Sequence, residues 1–179
     1  DINPGAADGV AEGIPAAFDN KFYFTGVTSA AGAEAWVSDG TAAGTVLLKD
    51  LTPGASSAGF IEYTAEHDGW LYFFASPPRQ FTSTDVVVDL WKSGGTTAST
   101  TKIASLSRCS SCDYVRDYSL YNNKLYFFFN EDHGEEVLWV TDGTPQGTEE
   151  VFSLPASGVI SFFQEVNGYL LFFGANDYD

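Results

Sequence analysis

Three segments of this chain repeat around a tryptophan, and that repetition restricts its fold more than any other feature. The first runs Trp36-Val37-Ser38-Asp39-Gly40-Thr41-Ala42-Ala43-Gly44-Thr45-Val46-Leu47-Leu48. The third runs Trp139-Val140-Thr141-Asp142-Gly143-Thr144-Pro145-Gln146-Gly147-Thr148. Between them, Trp91-Lys92-Ser93-Gly94-Gly95-Thr96 is a divergent copy: Gly94 stands in place of the Asp, and Ser99-Thr100 in place of Gly-Thr. An interval of roughly fifty residues is the size of one supersecondary unit that cannot bury its apolar faces alone.

A second marker precedes each copy and occurs four times: a two-residue turn followed by an aromatic run. The turns are Asp19-Asn20, Asp68-Gly69, Asn122-Asn123 and Asn167-Gly168. Asn, Asp and Gly tolerate the positive φ that a type I′ hairpin demands, so each dipeptide predicts a hairpin. The runs that follow, such as Leu125-Tyr126-Phe127-Phe128-Phe129, are apolar at both parities. A strand with one wet face would alternate instead, so these strands need cover above and below. A third marker, Asp1-Ile2-Asn3-Pro4-Gly5, returns as Asp50-Leu51-Thr52-Pro53-Gly54.

Each unit thus reads as four antiparallel strands: one before the turn, the aromatic run, the Trp strand, and one after Gly-Thr. The frame predicts an all-β, β-propeller-like fold of about three and a half blades. Residues 1–5 end a preceding repeat. Repeats follow at 6–54, 55–104 and 105–152, with the first half of a fourth at 153–179. On this frame the chain is expected to be part of a longer array, because the partial units do not complete a regular blade. The main alternative is a two-sheet sandwich, whose strands normally alternate more cleanly.

Composition agrees with strands and tight turns. There are 15 Phe, 9 Tyr, 4 Trp and 18 Gly, with no Met. The formal charge is −16, which repels nucleic acid and anionic lipid and favours cations or basic partners. No stretch approaches the roughly twenty apolar residues of a membrane helix.

The segment from Trp36 to Gly54 resembles the repeat written E-L-W-x-T-D-G-T-x-x-G-T-x-L-V-K-D-I-x-P-G, and Trp139 to Thr148 is similar. Such repeats occur in large secreted or surface-attached proteins of bacteria and of some algae and protists. The chain is also similar to segments of mastigoneme-type proteins, which build hair-like filaments on algal flagella. The resemblance implies β-propeller-like units in an extracellular or cell-surface setting. It brings no catalytic residues with it.

The motif residues Asp39, Gly40, Thr41, Gly44, Thr45, Thr96, Asp142, Gly143, Thr144, Gly147 and Thr148 admit two readings. One is a turn, in which Asp and Thr bond nearby backbone amides and Gly supplies positive φ. The other is a ligand or calcium loop. Trp36, Trp91 and Trp139 fit a repeated core position, with sugar stacking as the alternative. Trp70 lies directly after a hairpin turn, outside that series, and is the candidate contact residue.

Cys109 and Cys112 form a C-x-x-C. In a secreted chain this is a small local disulfide; the alternatives are pairing with other chains, a redox pair or half a zinc site. Acidic stretches at 130–136 and 176–179 could bind calcium or simply connect strands, and the EF-hand spacing is absent. The Ser/Thr run from Ser93 to Thr101 could carry O-linked sugar or be a bare loop. No G-x-S-x-G, H-E-x-x-H or P-loop occurs, and the only histidines are His67 and His133. No cofactor is implied.

The expected function is a non-catalytic structural repeat segment that mediates assembly or adhesion at the cell surface, in a surface filament for example. Its partners would be other repeats of its parent chain and homo- or hetero-assemblies. The alternative is a glycan-binding lectin or adhesin module. A third class is an enzyme on a propeller scaffold.

Overall fold

The computed structural model describes residues 2, 9–11, 13–52, 60–76, 85–109, 115–130, 135–154 and 158–176. These residues form fourteen strands and no helix. The first sheet is β1 (Ala16–Phe18), β2 (Lys21–Thr28), β3 (Gly32–Ser38) and β4 (Val46–Lys49), in that order. The second is β5 (Phe60–His67), β6 (Trp70–Ser76), β7 (Asp85–Ser93) and β8 (Thr101–Cys109). The third is β9 (Val115–Tyr121), β10 (Lys124–Asn130), β11 (Glu136–Thr141) and β12 (Glu149–Leu154). A last hairpin joins β13 (Gly158–Val166) to β14 (Tyr169–Asn176). The chain folds as two compact units, residues 1–80 with 88–102, and residues 81–87 with 103–179.

The turn dipeptides do what their chemistry dictates. Both central residues of all four have positive φ: Asp19 and Asn20 at 48° and 55°, Asp68 and Gly69 at 48° and 74°, Asn122 and Asn123 at 48° and 61°, Asn167 and Gly168 at 51° and 76°. That geometry matches the twist of the flanking strands and fixes the register of each hairpin.

The register beyond the turns is the same in each sheet. Strand two presents a Phe directly opposite the Trp of strand three: Phe24 to Trp36, Phe73 to Trp91, and Phe127 to Trp139. In the first and third sheets a bulge follows at the Trp, between Ala35 and Trp36 and between Leu138 and Trp139. Strand one carries its own bulge opposite the aromatic run, with Tyr63 at φ 49° in β5.

Strand one of the first sheet departs from the rest. β1 covers only three residues. Val10 bridges to Gly26, and the Ala11 amide donates to the Thr25 carbonyl. Between Ala11 and Ala16 none of the described residues pairs opposite Phe24, so the ladder is broken there.

Packing is two-sided, as the unbroken aromatic runs require. Phe127, Phe128 and Phe129 are each 0 % exposed although alternate residues face opposite sides. In the first unit, Tyr23, Ala35, Val37 and Leu48 of the first sheet pack on Ile61, Leu71, Phe73, Ala75 and Trp91 of the second. In the second unit, Tyr126, Phe128 and Leu138 of the third sheet pack on Phe163 of the last hairpin. Aligned by register, these are the same contact. Tyr126 is the counterpart of Tyr23 and Phe128 of Thr25. Phe163 pairs with Phe172, the counterpart of Phe73. We call the Tyr23-type side face A and the Phe73-type side face B; in both units, face A of one sheet meets face B of the next.

Candidate functional site

The motif residues gather in the loops Asp39–Thr45, Gly94–Thr100 and Asp142–Thr148, which join strands three and four. A hydroxyl pair closes the base of each loop. Ser38 and Thr45 lie 2.7 Å apart, Ser93 and Thr100 2.8 Å, and Thr141 and Thr148 2.7 Å. In each loop the amide of the positive-φ Gly donates to the first hydroxyl of the pair: Gly40 to Ser38 Oγ, Gly95 to Ser93 Oγ, Gly143 to Thr141 Oγ1. The second hydroxyl donates across the loop to a carbonyl, at 2.7 Å in every case: Thr45 to Thr41, Thr100 to Thr96, Thr148 to Thr144.

The loop interior is capped in two ways. Asp39 Oδ1 accepts from the Thr41 amide at 2.9 Å and from the Thr41 hydroxyl at 2.7 Å. Asp142 makes the same two bonds to Thr144, at the same distances. The second loop has Gly94 at this position, and Ser99 supplies the acceptor: its Oγ takes the Thr96 amide at 3.1 Å and lies 2.8 Å from the Thr96 hydroxyl. Ser99 stands where the other loops have Gly44 and Gly147. A Cβ on Gly44 would lie 2.0 Å from Asp39 Oδ1, and one on Gly147 2.1 Å from Asp142 Oδ1. Acid and glycine have changed places with glycine and serine, and the cap persists.

The hydrogen bonds to Thr41 and Thr144 hold the Asp39 and Asp142 carboxyls below the usual aspartate range, and the ammonium groups of Lys21 and Lys124 act in the same direction. Those lysines open β2 and β10, one step beyond the pairs Phe22–Ser38 and Leu125–Thr141. The corresponding residue of β6 is Trp70. So Lys accompanies an acidic loop, and Trp accompanies the loop with Gly94. A Cβ on Gly94 would lie 3.4 Å from the Trp70 ring, and the Lys92 ammonium lies 4.8 Å from its centroid. Trp70 is half-buried, packed on its own sheet through Gly94 and Lys92.

The series Trp36, Trp91 and Trp139 lies within the sheets. Trp91 is 7 % exposed, and the Trp36 indole rests on Gly26, where a Cβ would fall 2.4 Å from its Cδ1. Ser93 and Thr100, within the Ser/Thr-rich stretch from Ser93 to Thr101, are buried and bonded to each other. His67 pairs with Trp70 in the β5–β6 hairpin. The Cys109 side chain, Cys112, His133 and most of both acidic stretches lie outside the described residues. Among the described residues, no three His, Cys, Asp or Glu side chains converge as a metal-ligand set.

Two relationships were missed by reading the sequence one motif at a time: the hydroxyl pair and the coupling of Lys or Trp to the loop acid. Both are visible once the three copies are aligned on their tryptophans. No family model, curated protein or solved structure matches this chain.

Proposed function

We propose that this chain is a non-catalytic structural segment of an extracellular or cell-surface protein. Its sheets act as propeller-like blades and serve assembly, as in a surface filament. One observation carries the reading: the hydroxyls of the motif, and one carboxylate oxygen of each Asp, bond within their own loops. Asp39, Thr41, Thr45 and their counterparts bond within the loop in every copy, and the second loop changes its residues while keeping its bonds. A reacting or ligand-binding group has to be free toward its substrate; these hydroxyls and carboxylate oxygens are engaged inside the loop. The likeness of Trp36–Gly54 to surface-protein repeats points the same way.

Electron microscopy of native material, with antibodies raised to this chain, tests the proposal. Labelling of an ordered surface assembly is the expected result. A freely diffusing monomer would overturn it.

Trp70 favours a second reading, a glycan-binding module. Its ring is half-buried beside the Lys92 ammonium at the loop-bearing end of its sheet. Aromatic faces next to polar donors suit sugar rings. Reproducible binding on a glycan array, lost in Trp70→Ala, would put this reading in first place.

A further inference from the structure

We propose that the second loop carries a site for an acidic oligosaccharide, with one sugar ring stacked on Trp70 and its carboxylate or sulfate groups held by Lys92 and Lys21. This rests on the glycan-binding reading of Trp70 and adds to it the charge of the ligand and the residues that select it.

The three loops differ in charge at one position. Asp39 and Asp142 place a carboxylate there, and Gly94 places none. Ser99 closes the loop in its stead, so the second loop has lost its charge and kept its bonds. In a chain with 24 acidic and 8 basic residues, two lysines border this uncharged loop. Lys92 Nζ lies 4.8 Å from the centroid of the Trp70 ring, and the edge of that ring is 3.4 Å from where a Cβ on Gly94 would stand. Lys21 comes from the first sheet, and its Nζ is 3.0 Å from the corresponding point on Gly95. All five residues belong to the first compact unit.

Two observations point to an anionic ligand. Among the described residues Lys102 pairs with Asp89 at 3.3 Å, whereas neither Lys21 nor Lys92 makes an ion pair. Asp39 acts on Lys21 from beyond that reach, and its Oδ1 is already bonded to Thr41. The second observation is the Tyr23 hydroxyl, 2.9 Å from the same point on Gly95. It is fully buried and has no hydrogen-bond partner, although a buried hydroxyl is ordinarily bonded. An acid oxygen brought to Lys21 gives this hydroxyl the acceptor it lacks. Trp70 and Lys92 share face A of the second sheet: Trp70 stands two residues before Tyr72, and Lys92 sits directly opposite Tyr72. Gly94 and Gly95 present no side chain, so a sugar can approach their backbone closely. A neutral sugar would use Trp70 and leave both ammonium groups idle. An acidic peptide would use the ammonium groups and leave the indole idle. An acidic sugar engages all three.

Isothermal titration calorimetry on the purified chain tests the proposal. At an ionic strength of about 0.15 M the net charge of −16 is screened beyond about 8 Å. The probes are an oligogalacturonate, its methyl ester, a sulfated oligosaccharide and polyglutamate; the first and third tell a carboxylate site from a sulfate site. One of the two acidic sugars is expected to bind, and the methyl ester and polyglutamate at least about tenfold more weakly. Lys92→Gln and Lys21→Gln should each weaken binding about five- to tenfold, between the effect of an exposed ion pair and that of a charged hydrogen bond. Trp70→Ala should abolish it. The double variant Gly94→Asp with Ser99→Gly gives the second loop the acidic form of its neighbours and should bind at least about tenfold more weakly, with thermal melts verifying that each variant folds. An ester that binds as tightly as the acid, polyglutamate that binds as tightly as the sugar, or full binding in Lys92→Gln or the loop variant would overturn the proposal. Binding of neutral sugars alone, lost in Trp70→Ala, sinks the acidic site and leaves the glycan reading standing; no binding of any sugar sinks both.

Discussion

The Asp39 carboxylate fills the space that a side chain on Gly44 would need, since a Cβ there would stand 2.0 Å from Oδ1. The acid and the glycine are one device, and the second loop, with Gly94 and Ser99, is its alternative form.

This relationship gives a double-mutant cycle in the third loop, where Gly147 faces Asp142. Gly147→Ser alone should cost about 1–3 kcal/mol, the usual penalty of forcing atoms into occupied space. Asp142→Gly alone should cost about 1 kcal/mol through loss of the loop cap. The double variant Asp142→Gly with Gly147→Ser recreates the second loop and should lie at least about 1 kcal/mol above the sum of the single effects. Urea denaturation gives all four stabilities.

The same carboxylates make stability depend on acid. Their folded pKa values are depressed, chiefly by the bonds to Thr41 and Thr144. The contribution is therefore complete above the unfolded aspartate value of about 3.9 and is lost as pH falls below it toward the folded values. The variant Asp39→Asn with Asp142→Asn should melt with a shallower dependence on pH across that acid range. Melting curves at a series of pH values, compared with wild type, give the slope.

The hairpin turns provide a test in the opposite direction. Asn123 is exposed with φ 61°, a conformation that glycine adopts without strain. Asn123→Gly should be neutral or stabilise by up to about 1 kcal/mol, whereas Asn123→Val should destabilise by about 1–3 kcal/mol. Chemical denaturation distinguishes them.

Burial separates two phenylalanines that look alike in sequence. Phe127 is 0 % exposed and Phe173 is 66 % exposed. Phe127→Ala should cost about 3–5 kcal/mol, enough to unfold a marginal domain. Phe173→Ala, measured in dilute protein, should shift stability by less than about 1 kcal/mol. Thermal melts at low concentration compare the two.

The strand plan was legible because its determinants are local. Asn122-Asn123 and Asp68-Gly69 announce their hairpins through backbone preference alone, and the run from Leu125 to Phe129 announces cover on both faces. The interruption of the first strand one was hidden, since nothing in Ala11 to Pro15 says that a ladder will skip there. It depends on where Val10 finds Gly26, a contact across the sheet. The loops were half legible. Asp39-Gly40-Thr41 reads as a turn by itself, but the role of Ser99 emerges only from a comparison of loops, because its partner is a missing side chain at Gly94. Trp70 was singled out for its place after a turn; its packing on Gly94 and Lys92 is set by the neighbouring strand.

The two forms of the loop also constrain how one can change into the other. Placing serine at position 44 while Asp39 remains produces a collision, whereas removing the carboxylate first leaves only a loosened bend. A lineage moving between the forms therefore has a preferred order of steps, acid lost before hydroxymethyl gained. A motif that insists on Asp-Gly-Thr therefore passes over a loop of the Gly94–Ser99 form, although it closes with the same bonds.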